Sequence, residues 1–407
     1  MKRVDDHLAD VLAEVGPLAP MNLQLLDAHG CMLVENVVAT SDLPPFDNSA
    51  MDGYAVRLAD VAGASKEFPA ALPVVADIAA GSAEPQRITI GTCARIMTGA
   101  PLPAGAQAVI PQEWTDQGLA TARIYREPQG STFVRRRGDD VAAGDIVLHT
   151  GTWLNAPAIG LLGALGWDRV RVRPRPRVVV LSTGSELVEP GLPCSPGQIH
   201  DANSFTLTAA AREAGALAYR VGILPDDPGL VLSTLEDQLG RADLVVTSGG
   251  VSVGAHDVVK DVLSQLGTVG FDQIAMQPGM PQGFGAIGPN ATPIFTLPGN
   301  PVSAYVSFEV FVRPVIRKML GLESLHRPIM SARCARAFSS PQGKRQYARG
   351  RLEFRNGVYT VQPMSGAGSH LLADLARSDA LIVVPEEVTQ VRRGSTVEVM
   401  LLERPQL

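Results

Sequence analysis

Val178-Val179-Val180-Leu181-Ser182-Thr183-Gly184-Ser185-Glu186 is an unbroken apolar run that ends in a polar, glycine-containing loop. The pattern returns twice downstream. Leu244–Thr247 leads into Ser248-Gly249-Gly250-Val251-Ser252-Val253-Gly254, and Pro293–Leu297 leads into Pro298-Gly299-Asn300-Pro301. A fourth run, Tyr219–Leu224, precedes Asp226-Asp227-Pro228, and helical patterns fall near 204–213, 228–239, 258–266 and 302–320. Apolar runs without alternation are strands buried on both faces, and their alternation with helices predicts a mostly parallel sheet over residues 177–322. All three glycine-bearing loops then emerge at the carboxyl edge, where open α/β sheets hold ligands. Glycine lets backbone approach closely, and serine hydroxyls with free N–H groups suit phosphate oxygens, so the chemical inference is a phosphorylated, nucleotide-like ligand. Any one loop alone is better read as a tight strand-to-helix turn; three at one edge point to a site.

Working outward, Arg173-Pro174-Arg175-Pro176-Arg177 forbids a regular helix and marks a boundary. Upstream, Leu8, Val11, Leu12 and Val15 recur at helical spacing until Gly16-Pro17 stops the run. Between Pro73 and Ile146, short strand-like runs (Arg95–Met97, Ala108–Pro111, Ala122–Tyr125) alternate with Gly and Pro turns, which reads as a β-rich insertion. Pro157–Leu165 is expected to be a helix that packs with the first one. After Arg327-Pro328, the runs Tyr347–Phe354, Val358–Pro363, Ala380–Val384 and Thr396–Leu401 predict a small β-barrel.

Composition narrows the function classes. In 407 residues, 35 Lys and Arg face 41 Asp and Glu, a net charge of -6, which argues against a general nucleic-acid binder. With 45% hydrophobic and 19% charged residues, disorder is not expected. Cys31, Cys93, Cys194 and Cys334 form no CxxC pair, and no His lies near them at zinc spacing, so reduced, buried thiols and a cytoplasmic setting are expected. The first residues turn acidic without the apolar stretch of a signal peptide, and the apolar segment 158–167 is too short to span a bilayer.

Carboxylates gather beside the same loops: Asp201, Asp226, Asp227 and Asp257. Facing a phosphate-rich ligand, they make sense if a hard cation such as Mg2+ bridges them or if they handle protons. Helix capping is the competing reading; it is favoured for Asp227 and stands level with function for Asp226 and Asp257. Asp47–Tyr54 sets two carboxylates beside a Gly turn, which composition alone does not distinguish from a surface turn. Arg135-Arg136-Arg137-Gly138-Asp139-Asp140 is either a solvated turn or a guanidinium fork for an anion.

Taken together, six ordered motifs resemble the molybdopterin molybdenumtransferases, a family that includes the C-terminal domain of gephyrin. They are Phe46–Ala55, Arg95–Ala100, Arg136–Asp140, Ser182-Thr183-Gly184, Ser248–Gly254 and Leu297–Ser303. The resemblance implies an α/β multidomain chain: a mostly parallel α/β pterin-binding domain (176–325), a β-rich insertion domain (46–140), a small helical/β linker domain (1–45 with 141–175) and a C-terminal small β-barrel (326–407). It implies insertion of molybdate into adenylated molybdopterin, with Mg2+-dependent release of AMP, by a homodimer. Asp52, Thr98 and Asp140 would come from the partner subunit. Glu186, Asp226, Ser252 and Asp257 would line the pterin-phosphate and Mg2+ site, with Thr183, Gly184, Ser248, Gly249, Gly250, Pro298, Asn300 and Ser303 binding substrate. Arg349, Ser369 and Gln277 would hold molybdate, and Asp226 and Asp257 the metal, with Asp52 in a positioning or proton role. The implied protein partners are a molybdopterin adenylyltransferase and molybdoenzyme maturation proteins; nucleic acid and membrane are not expected.

One departure stands out. Where the family shows lysines around a Lys-Pro-Gly-Lys-Pro segment, this chain has Gln273, Gln277 and Met280. Two other functions stay open at this point: an adenylyltransferase-like enzyme of the same pterin-binding class, and a non-catalytic molybdopterin carrier or scaffold. The domains flanking the α/β core argue against the first, and Asp226 and Asp257 against the second.

Overall fold

A computed structural model of the chain describes residues 1–82, 84–249, 258–364 and 368–402. The chain divides into two compact units, one of Met1–Met21, Gly30–Met32 and Val172–Leu407, the other of Asn22–His29 and Leu33–Arg171.

In the first unit the apolar runs become strands β1 (Arg177–Thr183), β2 (Leu217–Leu224) and β3 (Leu244–Ser248), followed by β4 (Gly267–Gln273), β5 (Pro281–Ile287) and β6 (Thr292–Leu297). They form one sheet in the order β2-β1-β3-β6-β5-β4. The first four of these pair in parallel, and β5 and β4 add an antiparallel edge. Both faces of the parallel part are buried: Val178, Val180, Leu244 and Val246 belong to one core cluster, Val179, Leu181 and Val245 to another. This burial is why the runs show no polar alternation.

The antiparallel pair was not expected, because Gly267, Gly270, Gly283 and Gly285 weaken any strand reading of those segments. The structure supplies the reason for two of them. A Cβ on Gly283 would collide with Thr296 Oγ1, and one on Gly285 with Thr268 O, so glycine permits the close approach of neighbouring strands.

The expected helix over 302–320 forms as Pro301–Ser307, a π-helical turn at Phe308–Val312 and Arg313–Met319. Pro314 lacks an N–H and crowds the carbonyl four residues back, at Val310, which accounts for the widened turn. The first helix, Val4–Ala13, lays Val4 and Val11 into the cluster that holds Phe308, Phe311, Val315 and Ile316. Its apolar face therefore belongs to the sheet-bearing unit, whereas the helix Ala156–Ala164 belongs to the other.

Strands β7 (Ile329–Cys334), β8 (Arg345–Arg355), β9 (Val358–Pro363), β10 (Ala380–Val384) and β11 (Thr396–Leu401) close into a five-stranded barrel by the pairings β8-β9-β7-β11-β10-β8. In the second unit a five-stranded sheet has the order 108–111, 53–56, 93–96, 70–78, 121–124. Cys31, Cys93 and Cys334 are buried free thiols, but Cys194 is exposed, contrary to expectation, because it sits in a Gly- and Pro-rich loop. Among the described residues no helix is long and apolar enough to cross a membrane.

Candidate functional site

Parallel pairing of β1, β3 and β6 delivers their following loops to one edge of the sheet. Gly249 N donates to Leu297 O (3.0 Å), tying the second loop to the third strand. Gly249 has φ +96°, and a Cβ there would lie 2.8 Å from Thr183 O, so glycine is required where the first two loops meet. Asn203 completes the junction: its Nδ2 donates to Ser248 Oγ (2.6 Å) and to Gly299 O (2.7 Å). Sequence reading passed over Asn203; its position at a helix start just after Asp201 was the available signal. Thr183, Ser248, Pro298 and Ser303 are buried at this edge, while Asn300 is exposed at the head of the helix Pro301–Ser307.

The neighbouring carboxylates divide by environment. Asp201, 2% exposed, accepts from Ser182 Oγ (3.1 Å), Ser204 N (3.1 Å) and Ser204 Oγ, and lies 3.5 Å from Arg220. Arg220 also pairs with Glu189 (2.5 Å), so Asp201 is a structural anchor beneath the loops. Asp227 caps the helix Pro228–Leu239 by accepting from Leu230 N (2.9 Å), as expected. Asp226 does not cap. Its Oδ2 accepts from Ser185 N and Ser185 Oγ, both at 3.1 Å, which fastens the loop after β2 to the loop after β1. Glu186 is exposed, and its carboxylate folds back over Gly184, whose φ is +151°. Gly250, Ser252 and Asp257 lie outside the described residues.

Asp226, Ser185 and Glu186 offer hard oxygen donors at one sheet edge, although among the described residues no three His, Cys, Asp or Glu side chains group as a metal cage. This suits Mg2+, which is typically held by one or two carboxylates together with substrate phosphates.

A second polar region lies in the same unit. The short strand Met276–Gln277 pairs in parallel with the start of β8 through Met276↔Arg345 and Gln277↔Gln346. A cleft of about 270 Å³ opens there, lined in part by Gln277, Val302, Arg336, Gln346, Arg349 and Met364. The Gln277 loop is braced from behind: Gln282 Nε2 donates to Gly279 O (2.6 Å) and Ser307 Oγ (2.5 Å), and Ile274 N donates to Met280 O (2.7 Å). Arg349 is 5% exposed and donates to Leu371 O (2.8 Å); burial pulls its guanidinium below the ordinary value, partly offset by Asp374. Ser369 accepts at its carbonyl from Val302 N (3.1 Å), so it sits against a residue of the cleft wall. The structure thus places Gln277 and Arg349 in the lining of one cleft, with Ser369 held through its main chain to Val302 of that lining. Arg336 and Gln346 were missed in the sequence because barrel closure, not spacing, places them there.

In the other unit, antiparallel pairing of Gly53 with Ile96 sets Asp52 beside Thr98. Asp52 Oδ1 accepts from Thr98 N (2.7 Å) and Thr98 Oγ1 (2.8 Å), and these bonds hold the carboxyl below the usual range. The Arg136–Asp140 turn is tied to the segment at residues 42–47. Arg136 pairs with Asp47 (2.6 Å), Arg137 with Asp42, and Asp140 N donates to Leu43 O (3.0 Å). The two arginines are therefore engaged by carboxylates rather than forming an open anion fork.

Comparison with known proteins places this geometry. Sequence profiles described as "MoeA N-terminal region (domain I and II)", "Probable molybdopterin binding domain" and "MoeA C-terminal region (domain IV)" match residues 2–166, 179–318 and 331–402. The chain is 45% identical over 405 residues to molybdopterin molybdenumtransferase 2 of Mycobacterium tuberculosis, covering 98% of this chain and 99% of the relative. It is 42% identical over 422 residues to molybdopterin molybdenumtransferase 1 of the same organism, covering 99% of both. The solved structure of a molybdopterin biosynthesis MoeA protein from Pyrococcus horikosii superposes with a TM-score of 0.73 at 31% identity, covering 99% of each chain.

Proposed function

The chain belongs to the molybdopterin molybdenumtransferase family, and from that premise we propose that it inserts molybdate into adenylated molybdopterin and releases AMP, late in molybdenum cofactor synthesis. The observation that carries this reading is the cleft lined by Gln277 and Arg349, with Ser369 bonded through its carbonyl to Val302 of the cleft wall, in the unit that also bears the Asp226–Ser185 loop junction. An oxyanion and a phosphorylated pterin then each have a chemically suited region.

The loops after β1, β3 and β6 bind the pterin phosphate through Thr183, Gly184, Ser248 and Gly249, with Asn300 and Ser303 at the third loop. Ser185 orients Asp226, which together with Asp257 would hold Mg2+. Bound there, Mg2+ supplies positive charge against phosphate oxygens. Arg349 and Gln277 donate to the oxyanion, the guanidinium contributing charge and geometry. Holding both ends of the substrate couples insertion at the dithiolene to cleavage of the phosphoanhydride. Thr98 keeps Asp52 ionised, which suits it to positioning substrate, and we assign Asp52, Thr98 and Asp140 to the site of a second copy in a cytoplasmic homodimer.

The test is product analysis. Protein incubated with adenylated molybdopterin, molybdate and Mg2+ is expected to yield a molybdenum-bearing pterin that reconstitutes an apo-molybdoenzyme. A molybdenum-free product would overturn the proposal.

A further inference from the structure

The cleft beside Gln277 contains a cation that no motif singled out. Arg336 lies just beyond the end of β7, two residues after Cys334, and lines the same cleft as Arg349 and Gln277. Its guanidinium donates through Nη2 to Pro363 O (3.3 Å) and makes no ion pair among the described residues. Pro363 in turn pairs across the barrel with Gly350, next to Arg349, so the backbone that steadies Arg336 is also registered against the other arginine. Among the described residues lining the cleft, Arg336 and Arg349 are the cations and there is no carboxylate. No lysine or arginine occurs between Phe271 and Pro281, so the loop carrying Gln277 brings no positive charge of its own.

We propose that Arg336 is an oxyanion-specifying residue that supplies, with Arg349, the second positive charge that the Gln277–Met280 loop lacks. Resting on the molybdate role given to this cleft above, the inference adds a recognition element from a different strand of the barrel. Its physical basis is simple: a tetrahedral dianion is best met by two charges and several directed N–H donors; Arg349 is partly offset by Asp374, so Arg336 is the needed second guanidinium, whereas an amide such as Gln277 provides direction without charge. Arg336 is exposed, so removing it leaves the barrel core intact.

The experiment titrates the full chain with sodium molybdate by calorimetry, alongside molybdate-dependent turnover. Arg336→Met is expected to weaken molybdate binding roughly 10- to 100-fold, the scale of one charge-assisted hydrogen bond. Turnover at saturating molybdate should be nearly unchanged, so the loss appears in KM rather than kcat. Arg336→Lys should recover part of the affinity, and Arg333→Met, which removes an exposed arginine on β7, should leave it unchanged. If Arg349→Met weakens binding and Arg336→Met does not, the inference is overturned while the molybdate cleft stands. If neither change affects binding, both fall.

Discussion

The sheet edge and the barrel-side cleft, both in one unit, have opposite chemistry. Around the loops of the sheet edge stand Glu186, Asp201, Asp226 and Asp227, and the nearby Arg220 is already engaged by Glu189 and Asp201. The described lining of the cleft carries Arg336 and Arg349 with Gln277 and Gln346, and no acid. The contrast matches what the proposed reaction calls for, a phosphorylated pterin and a separate oxyanion held in one unit. On the proposed reading the acidic edge calls for an added cation, whereas the cleft offers the oxyanion its own guanidinia, Arg349 being partly offset by Asp374.

The largest effect is expected from breaking the acidic side. Asp226→Ala should lower turnover about 10³-fold, with thermal stability close to that of the parent, because the side chain is exposed and its bonds are to one loop. Wild-type turnover in that variant would remove the edge from the chemistry.

The basic side is sharpened by acid titration of its support. Lys2 pairs through its main chain with Gln273 and Ala275, at the start of the Gln277 loop. His7, 4% exposed, lies against Phe311 and 3.7 Å from Asp272. Burial foremost, and then the charge of Lys2, lowers its pKa to about 4, against Asp272 which opposes the shift. The unfolded chain therefore takes the proton first. The contribution of His7 to stability is complete above pH 6.5 and is lost as pH falls through about 4, a change of about 3 kcal/mol. Denaturant midpoints measured across that window should fall less steeply for His7→Phe; an identical slope would contradict the assignment.

Backbone geometry comes next. Gly249→Ala should destabilise the protein by about 2 kcal/mol, because it combines positive φ with a close Thr183 carbonyl. A neutral result in urea unfolding would mean that the loop junction is looser than described. The smallest effect sharpens the contrast between adjacent acids: Asp227→Ala should cost about 1 kcal/mol of stability as a lost helix cap and leave turnover unaltered.

The parallel core was legible because double burial writes itself as continuous apolar runs, and Val178–Leu181, Leu244–Thr247 and Pro293–Leu297 all became strands. The capping role of Asp227 was legible too, since Asp-Pro before an apolar helix has a local cause. Glycines required by strand contact hid the antiparallel edge. The roles of Asn203 and Arg336 were not legible: each depends on a partner brought close by sheet pairing or barrel closure, with no sequence period to announce it. The arginine turn at 136–137 shows the converse, a charge run with a functional look that the fold neutralises with Asp47 and Asp42.

The central claim is that the acidic edge and the basic cleft act on one substrate. Single-turnover AMP release from adenylated molybdopterin, with Mg2+ present and molybdate either supplied or withheld, tests it most directly. The account predicts release that depends on molybdate. Tight binding of the adenylated pterin without release, or release indifferent to molybdate, would contradict it.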